Sequence, residues 1–255
     1  MRVRYGNYQQ EPEEPVVDSE YYPKKIYGSW DPNWRGFVGT TFVVALEEFG
    51  HLIPADVTTL MEESLFNATV GDSYRVGGVD NDNLYPAYSN PVSSPPRAST
   101  LLSNANQSQS IMRAFVSGWT GARLNDTNMT TAGELYGGEI IELFERAETL
   151  SEFNSGTYTG VSLWALTLWC KYLPKESVMA QKGPLIVART WESVAELWHP
   201  DLKNVAGPWD RSYGFDMNKY LSLMALHFWS LIGKEASSMN AKVSPLYHPH
   251  SARKY

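Results

Sequence analysis

Four stretches of the chain are apolar on nearly every helical face: residues 37–49, 111–119, 161–172 and 217–232. Each follows a polar loop carrying aromatics with Gly, Pro or Asn. These loops are Ser29-Trp-Asp-Pro-Asn-Trp-Arg-Gly, Asp82-Asn-Leu-Tyr-Pro-Ala-Tyr-Ser-Asn-Pro, Ser151-Glu-Phe-Asn-Ser-Gly-Thr-Tyr-Thr-Gly and Gly207-Pro-Trp-Asp-Arg-Ser-Tyr-Gly-Phe-Asp. Between the apolar stretches lie segments with a single apolar face. Residues 55–70 group Val57, Leu60, Met61 and Leu65 opposite Glu62 and Glu63. Residues 131–148 open with the capping box Thr131-Ala-Gly-Glu134 and set Glu139, Glu142, Glu145 and Arg146 toward water. Residues 184–198 read as a helix with Pro184 in its first turn after Gly183. A helix apolar all round is buried, and a one-faced helix lies outside it. The alternation predicts an all-α protein of about seven helices without an extended sheet. Its architecture is an α/α-hairpin array, a partial or open α/α toroid, with long polar loops gathered at one end. An irregular helical bundle is the simpler alternative.

Residues 92–110 break this rhythm. They are rich in Ser, Asn and Pro, have no apolar period, and read as a disordered insertion. Asn90-Pro91 makes a helix start like Asp31-Pro32, and Ile111-Met-Arg-Ala would continue such a helix directly. The insertion therefore splits one helix after its first turn, either as a retained intron or as a surface loop. The predicted organisation is an extended segment over 1–28, one hairpin domain over 29–233, and a tail over 234–255.

With 255 residues, 43% of them hydrophobic, the chain suffices for one packed core. Nine Trp and fifteen Tyr can fill a core, and also line pockets for sugars or isoprenoids. A net charge of −7 without a basic stripe excludes a nucleic-acid partner. No apolar run is long enough to cross a membrane, and the oligomeric state is not legible. One cysteine, Cys170, rules out an intramolecular disulfide and reads as a buried, inert thiol. Four glycosylation sequons, at Asn67, Asn106, Asn125 and Asn128, point to secretion. No signal peptide is visible at the start of this chain, so the protein is either cytosolic or secreted from a longer form that carries one.

The segments Thr149-Leu-Ser-Glu-Phe-Asn-Ser-Gly-Thr-Tyr-Thr-Gly and Gly207-Pro-Trp-Asp-Arg-Ser-Tyr-Gly-Phe-Asp-Met resemble a largely uncharacterised fungal family. Trp34-Arg, Ala45-Leu-Glu-Glu-Phe, Asp82-Asn-Leu and Tyr88-Ser-Asn-Pro fit the same group, so the likeness spans most of residues 29–233. The resemblance implies an α/α-toroid (six-hairpin-like) fold, of which this chain would be the C-terminal part. It assigns no catalytic residue. Where the group usually has Pro or Tyr, this chain has Gly156 and Thr159.

Chemistry is expected in the loops. Glu152, Asn154 and Tyr158 share the third loop; Trp209, Asp210, Arg211, Tyr213 and Asp216 share the fourth. Carboxylates from neighbouring loops can act as acid and base, or acid and nucleophile, on a glycosidic bond. An Asn, Arg and Tyr grouping also suits elimination, in which amide and guanidinium groups neutralise a uronate while a Tyr moves protons. The candidate catalytic residues are Glu152, Asp210, Tyr158 and Tyr213. The candidate substrate contacts are Tyr88, Asn90, Asn154, Trp209, Arg211 and Trp30. Structural readings stand beside these: Asp216 as an N-cap, Asp210–Arg211 as a loop-holding pair, Asn154 as a turn residue, Tyr158 as packing. Glu152 caps no evident helix.

Glu47 and His51 have the spacing of a metal pair but no third ligand, and read as a helix-end ion pair. His227 reads as a core histidine, and His199, His248 and His250 as surface residues. Without a Gly-rich phosphate loop, nucleophile elbow or Cys/His cluster, neither cofactor nor metal is expected.

The leading expectation is a carbohydrate-active enzyme, a glycoside hydrolase or polysaccharide lyase, acting on a small-molecule or oligosaccharide substrate. A terpenoid-modifying dehydratase or isomerase on the same scaffold is the second. A non-catalytic binding protein or truncated product is the third.

Overall fold

The structure is a computed structural model, and it describes residues 8, 33–73, 75–76, 79–80, 107–209 and 223–238. Seven α-helices occur among the described residues: α1 (Trp34–Phe49), α2 (Ala55–Ser73), α3 (Gln107–Leu124), α4 (Thr127–Ala147), α5 (Tyr158–Tyr172), α6 (Val178–Glu196) and α7 (Leu223–Ile232). The only ladders among them are two antiparallel pairs of two-residue strands, β1 (Arg75–Val76) with β2 (Val79–Asp80) and β3 (Trp198–His199) with β4 (Asn204–Val205). The protein is all-α.

Contacts along the helices set their directions. Gly36 faces Met112, Gly39 faces Val116, and Glu47 reaches Trp119, so α1 and α3 run parallel. The Trp169 indole donates to the Ile111 carbonyl at 3.0 Å while Leu173 lies against Gly118, so α5 runs parallel to α3. α2 packs antiparallel to α1, with Arg35 opposite Asp72 and Gly39 near Leu65. α4 returns along α3, where a β-carbon on Gly133 would come within 2.5 Å of the Gly118 nitrogen. Only glycine at position 133 lets these two backbones touch, whereas a β-carbon on Gly118 would point to Met179 and Leu173. α6 returns along α5 with Gly183 against Cys170. The two outer helices α4 and α6 run parallel to each other, from Glu134 opposite Val178 to Glu145 opposite Lys182. Inner helices side by side, each with an antiparallel outer partner, make an α/α-hairpin array.

The pattern of burial follows. α3 is enclosed on nearly all sides, with Ile111, Met112, Ala114, Phe115, Val116, Ser117, Trp119 and Thr120 buried. α5 buries Val161, Leu163, Ala165, Leu166, Leu168 and Trp169. α7 is different: only Met224, Ala225 and Phe228 are buried, and Leu226, Trp229, Leu231 and Ile232 are exposed. α7 meets α5 where Leu223 and Met224 rest on Gly160.

Several local expectations are corrected. The helix expected to open at Thr131 begins one turn earlier, because Asp126 caps it by accepting from the Asn128 and Met129 amides at 3.0 and 3.1 Å. Glu134 is free to cap its neighbour instead, accepting from the Val178 amide at 2.9 Å. Pro184 is not in a first turn: α6 starts at Val178, capped by Ser177, and carries Pro184 inside. On α2 the buried face is Ser64, Leu65, Ala68, Thr69 and Asp72, whereas Val57 and Leu60 face solvent. α3 starts at Gln107, within the segment expected to be an unstructured insertion, and Gln109 is buried. Asn90-Pro91, Asp31-Pro32, His248 and His250 lie outside the described residues.

Candidate functional site

The loop between α4 and α5 is built around one hydroxyl. Thr159 Oγ1 donates to the carbonyls of Glu152 and Phe153, at 3.0 and 2.9 Å, and accepts from the Ser155 amide at 3.1 Å. Ser155 Oγ in turn accepts from the Tyr158 amide at 3.1 Å, satisfying a donor in the first turn of α5. A chain reversed this tightly fixes its side chains. Glu152 turns inward, to 3% exposure, while its neighbour Phe153 points to solvent.

The second loop leaves α6 through the β3–β4 hairpin, whose Asn204 and Val205 are buried. It passes the cis Gly207–Pro208 peptide and arrives at Trp209. Two contacts join it to the first loop. Asn154 Nδ2 donates to the Pro208 carbonyl at 2.6 Å, and the Trp209 ring lies over Gly156, where a β-carbon would meet Cη2 and Cζ3 at 2.6 Å. The Trp209 indole donates to the Val205 carbonyl at 3.1 Å. Met224 at the start of α7 donates its amide to the Gly156 carbonyl at 3.1 Å, tying α7 to the same point.

Beneath the junction lies a second core of Leu163, Val194, Val205, Met224 and Phe228, with Trp191, Trp198 and Trp209 packed on it. Trp198 meets Phe228 edge-on at 4.8 Å between ring centroids. His227 stands edge-on to Trp191 and contacts the Gly160 carbonyl through Nε2 at 3.1 Å. A carbonyl only accepts, so Nε2 carries the proton. Burial holds this imidazole below the usual histidine range, partly offset by that bond.

The expected site residues are therefore placed as follows. Asn154 and Trp209 join the two loops, while Glu152 and Tyr158 belong to the first of them, Glu152 buried and Tyr158 half-buried at the first position of α5. Trp30, Tyr88, Asn90, Asp210, Arg211, Tyr213 and Asp216 lie outside the described residues. Gly156 and Thr159, the two departures from the resembled group, are the residues that admit Trp209 and organise the loop.

Elsewhere the sequence missed a buried ion pair. Arg35, at 1% exposure, donates to Asp72 Oδ1 at 3.3 Å. Arg113 donates to the Asp72 carbonyl at 2.7 Å and lies 3.6 Å over the Tyr136 ring. Tyr8 shares a hydrogen bond with Ser64 at 2.7 Å nearby, and burial raises its phenol above the usual range. A charged residue beside Gly36 and Gly39 on an apolar helix was the available signal.

Two further expectations change. Glu47 accepts from the Trp119 indole at 2.8 Å rather than pairing with His51. Glu48 instead binds Lys171 and Tyr172, and these bonds, the lysine's first, hold its carboxyl below the usual range. Cys170 is exposed rather than buried, with its thiol raised by the protein packed around it. No group of three or more His, Cys, Asp or Glu that could hold a metal occurs among the described residues. No described helix is long and apolar enough to cross a membrane.

Fold and loops together define an α/α-hairpin protein in which the polar loop before α5 is joined to the loop that leaves α6. The chain belongs to the family described as a domain of unknown function, DUF8769, whose model matches residues 2–94 and 97–253. No curated protein and no solved structure matches it.

Proposed function

We propose that this protein is a carbohydrate-active enzyme, a glycoside hydrolase or polysaccharide lyase, built on a partial α/α toroid and acting in the secretory pathway. The observation that carries the reading is Glu152. A carboxyl group at 3% exposure sits in a polar loop, beside exposed Phe153 and joined through Asn154 to a second polar loop. Buried acids are costly, and they concentrate where a proton must be given or taken.

In the hydrolytic form Glu152 protonates the glycosidic oxygen as the bond to the anomeric carbon breaks. Asp210, adjacent to Trp209 in sequence, is the proposed second carboxylate, activating water or attacking the anomeric carbon. In the eliminative form Asn154 and Arg211 neutralise the uronate carboxylate, and Tyr158 or Tyr213 moves the proton.

The test is product analysis on a panel of neutral and uronate-containing polysaccharides. New reducing ends alone identify a hydrolase. Reducing ends matched by ultraviolet-absorbing unsaturated uronate identify a lyase. Absence of both, with a ligand bound or with none, contradicts the proposal.

A further inference from the structure

The four sequons are equivalent as motifs but not as structure, and three of them lie on described residues. Asn67 is in the body of α2, where its Nδ2 donates to the Glu63 carbonyl at 2.8 Å. The next two residues, Ala68 and Thr69, are buried at 0% and 4% exposure, so the hydroxyl of this sequon is turned into the fold although Asn67 itself is half-exposed. Asn128 is exposed, but it stands in the first turn of α4 with its amide held by Asp126. Its sequon continues through Met129, at 0% exposure, to Thr130, whose hydroxyl donates to the Asp126 carbonyl at 3.1 Å.

Asn125 differs in each respect. It occupies the two-residue turn between α3 and α4, with φ at 56°, a left-handed conformation that Asn adopts more readily than most residues. Its side chain is exposed and makes no hydrogen bond among the described residues, and Thr127 is exposed as well. The turn lies at the opposite end of the inner helices from the Glu152 loop, because α3 and α5 run parallel. A bulky, solvated glycan can stand there without displacing a helix or covering the joined loops.

We infer that, of the three sequons on described residues, Asn125 is the N-glycosylation site, and that Asn67 and Asn128 are not acceptors in the folded protein. The donor is a lipid-pyrophosphate-linked oligosaccharide of the secretory pathway, transferred by the host's membrane enzyme. Asn125 Nδ2 forms a bond to the anomeric carbon, the bond from that carbon to the pyrophosphate oxygen breaks, and the amide nitrogen loses one proton. The lipid pyrophosphate leaves. No oxidant or reductant is involved. The inference rests on a secretory route, and it is independent of any reaction at Glu152.

The full chain, fused to a cleavable secretory leader and expressed in a eukaryotic host, supplies that route directly. Glycan occupancy is read by the mobility shift lost on endoglycosidase treatment and by mass spectrometry of the Asn125 and Asn67 peptides. The expected result is a glycan on Asn125 that is lost in Thr127→Ala and in Asn125→Gln, and retained in Thr69→Ala and Thr130→Ala. Thr127→Ala keeps Asn125 in its turn, so its result does not depend on Gln tolerating a positive φ. A glycan that persists on Asn125 in secreted Thr127→Ala, a secreted wild-type chain without any glycan at Asn125, or a glycan on Asn67 or Asn128, overturns the inference.

Discussion

Trp209 rests on the bare backbone of Gly156, so close that a β-carbon there would lie 2.6 Å from two of its ring atoms. A single missing methyl group thus joins loops more than fifty residues apart in sequence. Gly156→Ala must push the ring out of place, a form of overpacking that costs about 1–3 kcal/mol. Chemical denaturation should register that loss. In a Trp209→Ala background the same substitution should cost much less, since the clashing ring is gone.

Thr159 is the hub of the Glu152 loop, with two carbonyls and one amide on its hydroxyl. Thr159→Val keeps the shape and leaves those buried groups without their partner, at about 1–3 kcal/mol. Thr159→Ser should recover most of it. Equal stability of the Val and Ser variants would show that the hydroxyl does not organise the loop.

The architecture was legible because burial leaves a periodic trace. α5 is apolar on nearly every face and most of it is buried, as an inner helix of the array requires. Helix starts were less legible. Thr131 with Glu134 and Gly183 with Pro184 look like starts, but Asp126 and Ser177 cap first, and hydrophobic pattern does not rank competing caps. Val57 and Leu60 read as core because periodicity reports which residues share a face, not how far a neighbour extends along it. The joining of the third and fourth loops followed from topology. Its agents did not: Asn154 binds a backbone carbonyl, which has no sequence signature, and Trp209 meets a residue with no side chain. Arg35 and Asp72, 37 residues apart, could be paired only by the fold.

The Arg35–Asp72 pair spans α1 and α2 with side chains at 1% and 5% exposure. Removing one partner leaves a buried charge, at about 3–5 kcal/mol. Asp72→Asn should therefore lower the denaturation midpoint strongly. Replacing both residues with apolar side chains of similar volume should restore much of the loss. If Asp72→Asn is neutral, the pair contributes nothing to the packing of α1.

His227 gives a pH dependence. Its folded-state pKa is lowered, chiefly by burial, from an ordinary value of 6.5. The unfolded chain therefore binds more protons across that window, and stability rises with pH through it. As pH falls below about 6.5, protonation of the unfolded chain draws stability away, until the folded histidine titrates too. Unfolding measured from pH 7.5 down to about 5 should show this decline, and His227→Gln should flatten it. An unchanged slope in that variant would place the effect elsewhere.

On the proposed function, Glu152 is buried in order to handle a proton rather than to hold the fold. Glu152→Gln conserves shape and burial while removing the acid. The decisive measurement is turnover of this variant on the polysaccharide cleaved by the wild type, taken together with its thermal unfolding. The expected result is a loss of at least about a hundredfold in kcat, the scale of general acid catalysis, with the unfolding midpoint nearly unchanged. Full turnover in Glu152→Gln, or a loss of activity that merely follows a large drop in stability, would contradict it.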